Sequence, residues 1–203
     1  MFVKSYCSSI SGIEAVTVAV EVNITAGIGM YLVGLPDNAV RESQERIRAA
    51  FENCEYKMSG KKVVVNLSPA DLRKEGSAYD LPIAVAMLAA SGQIDAAPLS
   101  RYVLLGELSL DGSILPVKGA LPIAMQALKE GFAGIILPEE NAREAAVVKG
   151  LDVYGIGNLR EVVNFLQGFT NLTPARINLD ETFTEAQRSF DGDFCDVKGQ
   201  AQV

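Results

Sequence analysis

Apolar and polar residues alternate over residues 13–25, and this segment is rich in β-branched side chains. Such alternation predicts a strand with one face turned toward a core. Residues 30–34 and 62–67 are shorter apolar runs that predict two further strands, the second of them central. The first part of the chain is therefore expected to contribute antiparallel strands to a sheet.

Helical spacing appears between and after these strands. Asp37 is suited to cap a helix that runs to about Asn53, because its carboxylate can accept a hydrogen bond from a free N–H of the first turn. One face of this helix is apolar at helical spacing. That face consists of Val40, Ile47, Phe51 and Cys54. Residues 79–91 are apolar on nearly all sides and predict a buried helix that ends at Gly92.

The second half of the chain alternates between strand and helix patterns. The strands are predicted at residues 102–107, 113–117, 134–137 and 151–154, and the helices at residues 120–129, 139–149 and 159–166. This alternation indicates βαβ units within a two-layer α/β or α+β domain over residues 1–168. After Gly168 the pattern ends, and residues 169–203 are expected to form a linker.

Composition excludes several classes of chemistry. The chain has no histidine, which removes Ser-His and Cys-His nucleophile pairs and the commonest metal ligand. Ser-Lys chemistry, paired carboxylates or binding alone remain open. The three cysteines Cys7, Cys54 and Cys195 fit free thiols in a reducing compartment, and no apolar run is long enough to span a membrane. A cytoplasmic location is therefore expected, with no metal or cofactor bound by this chain.

Charge is spread unevenly along a chain whose net charge is −7. Residues 1–74 hold nine basic and eight acidic side chains, so a face that attracts DNA phosphates would lie there. The candidate DNA-binding residues are Arg41, Arg46, Arg48, Lys61, Lys62, Arg73 and Lys74. A charge-balanced, solvated helix face with lysines in turns accounts for the same pattern, and any DNA binding is expected to be weak.

Two segments together resemble the proteolytic domain of Lon-type proteases. They are residues 72–83 (LRKEGSAYDLPI) and residues 106–121 (GELSLDGSILPVKGAL). In Lon-type enzymes the first segment holds a nucleophilic serine and the second its lysine partner. Here Ala78 and Leu121 stand at those positions, so the resemblance implies a catalytically inactive domain with Leu121 in the core. An alternative is an active pair shifted from these positions, with Ser77 as the nucleophile and Lys118 as its base. A role of Ser77 as a helix cap and of Lys118 as a solvated charge explains the same two residues.

Four segments taken together resemble the N-terminal domain of the magnesium-chelatase-like competence proteins, the ComM family of ChlI-like AAA+ proteins. These segments are residues 34–43 (GLPDNAVRES), 65–83 (VNLSPADLRKEGSAYDLPI), 106–112 (GELSLDG) and 196–200 (DVKGQ). The resemblance implies a fold like the C-terminal domain of Lon proteases and the second domain of a small-subunit ribosomal protein. In that family this domain precedes an AAA+ ATPase module.

The resemblance also implies a role for the longer protein. Residues 196–200 resemble the entrance to the ATPase module, and the chain contains no Walker A motif, so a fragment is expected. ATP and Mg would belong to the missing module. The whole protein is expected to be a homohexameric DNA motor of recombination or natural transformation, with this domain as an accessory to its own AAA+ module. The alternatives are a Ser-Lys peptidase and a regulatory domain of a metal chelatase.

Overall fold

The computed structural model describes residues 1–177, which form one mixed sheet with helices packed on it. The strands are β1 (Phe2–Ser11), β2 (Glu14–Thr25), β3 (Met30–Val33), β4 (Lys62–Ser68), β5 (Tyr102–Leu104), β6 (Glu107–Leu108), β7 (Ile114–Leu115), β8 (Gly134–Pro138) and β9 (Asp152–Ile156). The α-helices are α1 (Asn38–Asn53), α2 (Asp80–Ala90), α3 (Ala120–Lys129), α4 (Ala142–Ala145) and α5 (Leu159–Leu166). Two 3-10 helices cover Ala97–Arg101 and Glu139–Asn141.

Seven strands form the main sheet in the order β3-β4-β2-β1-β5-β8-β9, and β6 and β7 form a separate hairpin. β2 is antiparallel to both of its neighbours, whereas the other four pairings are parallel. The α/β class and the strand-helix alternation of the second half are therefore confirmed. Long β1 and β2 in the middle of the sheet connect its two parallel parts.

Helices cover both faces of β1. Ser5 donates a hydrogen bond of 2.9 Å to the carbonyl of Pro82 in α2. The next residue, Tyr6, makes an edge-to-face contact with Phe132, just after α3. Successive residues of a strand point to opposite faces of a sheet. α2 and the end of α3 therefore lie on opposite sides of the sheet, and their first turns flank the carboxyl end of β1.

The predicted capping of α1 and the burial of α2 are confirmed. One Asp37 oxygen accepts a hydrogen bond of 2.8 Å from the Val40 N–H, which satisfies a free donor of the first turn. The apolar face of α1 is buried, and every residue of α2 from Asp80 to Ala90 is buried. α2 is therefore a core helix, as its apolar composition predicts.

The sequence pattern misses β1 entirely. Its inward positions include Ser5 and Ser9, which hide the apolar alternation of a strand. The helix expected at residues 139–149 is also wrong, since only a 3-10 turn and the four residues of α4 are helical there. Asn141 holds that turn, because its side-chain amide forms two hydrogen bonds of 2.9 Å with the main chain of Val117.

Residues after α5 run along the outer edge of the sheet. The Ala175 N–H donates to the Val153 carbonyl of β9 at 2.8 Å, and Arg176 forms an ion pair of 3.1 Å with Asp152. The rest of the expected linker, the segment 196–200 and Cys195 lie outside the described residues. Within residues 1–177, no helix has the length and apolar character needed to cross a bilayer.

Candidate functional site

A crevice of about 660 Å³ opens at the carboxyl end of β1, between the first turns of α2 and α3. It exists because β1 and β5 pair only at Tyr6 and Val103, after which the two strands separate. Crevices at the carboxyl ends of parallel strands are the usual ligand sites of α/β proteins. The lining residues are Ser8, Ser9, Ile10, Ser11, Leu72, Arg73, Glu75, Gly76, Ser77, Ala78, Tyr79, Glu107, Pro116, Val117, Lys118 and Ile123.

The turn before α2 forms one wall of the crevice and is held from two sides. The Gly76 N–H donates to the second oxygen of Asp37 at 3.0 Å, which joins the turn to the start of α1. The Ala78 carbonyl accepts from the Gly106 N–H at 3.1 Å, and the Gly106 carbonyl accepts from the Leu81 N–H at 3.0 Å. Residues 76–78 are therefore fixed against the link between β5 and β6.

The two positions that resemble a Lon-type dyad carry no nucleophile and no base. Ala78 lies in the crevice wall and packs against the core. Leu121 is only half-buried and lies outside the core cluster, so the expectation that it fills the core is wrong. α3 begins at Ala120 and buries Ile123 and Ala124 instead, which leaves Leu121 on the flank of its first turn.

Ser77 and Lys118, the residues of the shifted dyad, line the same crevice but do not form a pair. The Ser77 hydroxyl donates a hydrogen bond to the Glu107 carboxylate. The Lys118 side chain is exposed, and no hydrogen bond joins it to Ser77 in the part of the chain described. A carboxylate is a much weaker base than an amine and is a poor activator of a hydroxyl group.

A buried ion pair supports this wall from behind. Arg46 donates to both carboxylate oxygens of Asp80, with Nε 2.6 Å from Oδ2 and Nη2 2.9 Å from Oδ1. Asp80 is fully buried, and the Leu108 N–H also donates to its Oδ2, at 3.1 Å. Burial raises the pKa of Asp80, while the hydrogen bond and charge of Arg46 act in the opposite direction. Arg46 is therefore occupied by this pair, which argues against its use as a DNA contact.

Lys74 is a second candidate DNA contact whose position argues against that role. Its side chain is fully buried, and its ammonium group donates to the Pro69 carbonyl. Its main chain exchanges hydrogen bonds with Leu35 and Asp37, at 3.1 and 3.0 Å. Burial lowers the pKa of Lys74, and only a weaker attraction to Asp71 opposes this shift. A phosphate cannot reach the group without opening the fold.

The remaining basic candidates form separate groups. Arg41 and Arg73 are exposed and line a shallow hollow beside the start of α1, and Arg73 also forms an ion pair of 3.2 Å with Glu75. Lys61 and Lys62 lie at the opposite end of β4, where Lys62 lies over the ring of Tyr31. β4 is about 20 Å long, so these groups cannot share one small site. The seven predicted residues do not form a single face, and Arg48 is exposed further along α1.

Two features of the site were not predicted from sequence. Glu107 was assigned to a strand, although its carboxylate faces Ser77 in the crevice. Asp80 lies in the first turn of α2, where a carboxylate favours the helix dipole, but its main partner is the guanidinium of Arg46. The sequence does contain a signal for the buried partner of Asp80, because a carboxylate inside an otherwise apolar helix requires such a partner.

Comparison with known proteins shows which protein families have sequences similar to this chain. Residues 20–141 match the family model described as "Subunit ChlI of Mg-chelatase". The chain is 38% identical to the competence protein ComM of Haemophilus influenzae over 200 residues, which cover 96% of this chain and 38% of ComM. It is 39% identical to the protein YifB of Escherichia coli over 192 residues, which cover 94% of this chain and 37% of YifB.

A more distant similarity joins the chain to a protease. It is 28% identical to the Lon protease of Brevibacillus choshinensis over 161 residues, which cover 72% of this chain and 20% of that enzyme. The chain thus spans less than two fifths of the length of ComM, YifB or this Lon protease. The likeness to Lon is consistent with the observed α/β fold.

Proposed function

The chain belongs to the magnesium-chelatase ChlI-like family that includes ComM, and we propose that it is a non-catalytic N-terminal accessory domain of an AAA+ ATPase. In this proposal the whole protein is a cytoplasmic homohexameric motor that acts on DNA during recombination or natural transformation. ATP and Mg are bound by the ATPase module and not by this domain. The name of the relative ComM, a competence protein, supports the DNA role.

The main support for a non-catalytic role is the state of the crevice. Ala78 and Leu121 stand where a Lon-type enzyme would need a serine and a lysine. The nearest hydroxyl, that of Ser77, is bonded to an acidic group. Nucleophilic catalysis by serine needs a positioned base that takes its proton, and Glu107 is ill suited to that task.

Two alternatives predict different behaviour. A Ser-Lys peptidase is favoured by one observation, which is that Ser77 and Lys118 line the same crevice. For that role Lys118 would have to lose solvent contact and displace Glu107 from Ser77. A regulatory domain of a metal chelatase is supported by the description of the family model alone.

The test uses the full-length protein and a variant that lacks residues 1–168. The ATPase module is first identified from a Walker A motif in the coding sequence beyond residue 203. Oligomeric state and ATP hydrolysis are then measured with and without branched DNA. The proposal expects the truncated protein to retain basal ATP hydrolysis and to lose hexamer stability or stimulation by DNA. Equal behaviour of both proteins in all three measurements contradicts an accessory role, and porphyrin-dependent activity supports the chelatase alternative.

A further inference from the structure

One edge of β1 faces the crevice without a neighbouring strand. β1 pairs with β2 from Phe2 to Ser11, whereas its pairing with β5 is limited to Tyr6 and Val103. Residues 8–11 line the crevice beyond that point. Within residues 1–177, no strand pairs with residues 8–11 on the β5 side. Alternate N–H and C=O groups of this stretch are therefore available to another strand.

Buried hydroxyl groups also line the crevice beside this edge. Ser8 and Tyr79 are only 3% and 1% exposed. The Ser8 hydroxyl has no hydrogen-bond partner within the described part of the chain, and the Tyr79 hydroxyl has only the Ser9 hydroxyl beside it. Buried polar groups are nearly always satisfied, so the Ser8 hydroxyl is suited to bind a polar ligand in the crevice. The N–H groups of Ser77 and Ala78, just before α2, likewise have no acceptor among residues 1–177.

The charges around the crevice decide between classes of ligand. Arg73 and Lys118 are balanced by Glu75 and Glu107, so the lining has no net charge. A phosphate or a nucleic acid would meet two carboxylates there, which disfavours its binding. A polypeptide main chain is neutral and carries donors and acceptors at the spacing of a strand edge. This match favours a peptide over an anion.

We propose that the crevice binds an extended polypeptide segment, which adds as a strand along residues 8–11 of β1. Its main chain pairs with the free edge of β1, and one carbonyl accepts from the N–H groups before α2. A small aliphatic side chain of the peptide contacts Ile10, Val117 and Ile123. Strand addition gains affinity from main-chain hydrogen bonds and places few demands on sequence. This inference goes beyond the accessory role and does not depend on the ATPase module.

Amide hydrogen exchange of the full 203-residue chain tests the proposal, with a short peptide of alternating Val and Thr residues as the probe. We expect exchange at alternate amides of residues 8–11 to slow by at least about tenfold when the peptide is bound. Protection confined to β3, the edge strand at the other side of the sheet, overturns the proposal. An absence of any change at peptide concentrations of about 1 mM also overturns it.

Matched variants locate the binding. Ile10→Glu places a charge in the crevice, and its affinity for the probe should fall by at least about tenfold. Ile13→Glu is the control, because Ile13 is 92% exposed in the turn after β1, and it should bind as the wild type does. If Ile10→Glu fails to fold, Ser77→Trp fills the crevice from the opposite wall and should abolish binding. Equal affinities of the crevice variant and wild type, or protection of residues 8–11 by inorganic phosphate instead of the peptide, contradict the proposal.

Discussion

Arg46 and Asp80 lie 34 residues apart in sequence and form a two-point hydrogen-bonded ion pair, with an Nε to Oδ2 distance of 2.6 Å. The guanidinium also donates to the Ala39 carbonyl at 2.9 Å, and Asp80 receives the Leu108 N–H of β6. The pair therefore joins α1, α2 and the β6-β7 hairpin at one point. It lies directly behind the turn that forms the crevice wall, so it fixes the position of that turn.

Removal of Arg46 should destabilise the fold strongly. Arg46→Met leaves a fully buried carboxylate without its cation, and breaking such a pair costs about 3 kcal/mol or more. The measurement is the free energy of unfolding in urea at pH 7. Arg48→Met is the control, because Arg48 is exposed on the same helix and should change stability by less than about 0.5 kcal/mol. Equal stabilities of the two variants would contradict the structural role of the pair.

The loss of stability in the Arg46→Met variant should also depend on pH. Burial raises the pKa of Asp80 in the folded chain, so the folded state binds this proton more tightly than the unfolded state does. The contribution of Asp80 to stability therefore decreases as pH rises from the ordinary carboxyl pKa through the raised value. Without Arg46, which lowers this pKa, the decrease becomes larger. The stability difference between wild type and Arg46→Met should grow from acid to neutral pH.

Lys74 should make stability rise with pH. Because burial lowers its pKa, the folded state holds the proton less tightly than the unfolded state does. The free energy of unfolding therefore increases as pH rises from the lowered pKa of Lys74 toward the ordinary lysine value of 10.5. Lys74→Met should remove that gain, which urea titrations between neutral and alkaline pH would detect. Lys61→Met is the control, because Lys61 is exposed, and its stability should depend on pH as that of the wild type does. The same dependence of stability on pH in all three proteins would indicate that Lys74 is solvated.

The chain should show no peptidase activity. Ala78 and Leu121 lack the dyad groups, and the Ser77 hydroxyl is bonded to Glu107. Incubation with unfolded casein and a fluorogenic peptide should give cleavage no faster than buffer alone. Ser77→Ala should leave this background unchanged. Cleavage by the wild type that disappears in Ser77→Ala would establish the peptidase alternative.

Features set by neighbouring residues could be predicted from the sequence, while those set by distant partners could not. The cap at Asp37 and the buried α2 follow from local chemistry and apolar composition, and both are confirmed. β1 escaped prediction because polar residues occupy inward positions, and Ser5 is satisfied there by a distant partner, the Pro82 carbonyl of α2. Basic residues were counted as surface charges, yet the burial of Lys74 depends on main-chain contacts that no spacing reveals.

Leu121 should tolerate a charge better than its apolar neighbour does. Leu121 is half-buried at the start of α3, so Leu121→Lys can extend its ammonium group into solvent and should cost less than about 1 kcal/mol. Ile123→Lys is the matched comparison, because Ile123 is 2% exposed and an unpaired charge there should cost several kcal/mol, on the order of 3 or more. Urea midpoints of the two variants provide the measurement. A larger loss for Leu121→Lys would place Leu121 in the core after all.

DNA binding, if it uses this domain, should depend on Arg41 and Arg73 rather than on the buried candidates. These two side chains are exposed and line the same hollow beside α1. Each phosphate contact contributes a slope of about −0.9 to the dependence of log affinity on log salt concentration. Arg41→Glu with Arg73→Glu should therefore weaken binding of the full-length protein and reduce the salt slope by about two.

The matched control for that DNA test is Lys61→Glu with Lys62→Glu, which reverses two charges at the far end of β4. The control changes net charge equally, so it separates a local contact from general repulsion of DNA by an acidic chain. The hollow is supported when only the Arg41 and Arg73 variant lowers the slope. Equal losses in both variants would indicate diffuse attraction. In a hexamer, six copies would multiply even a weak affinity of each domain for DNA. Unchanged DNA binding in both variants would therefore exclude these four side chains from DNA contact.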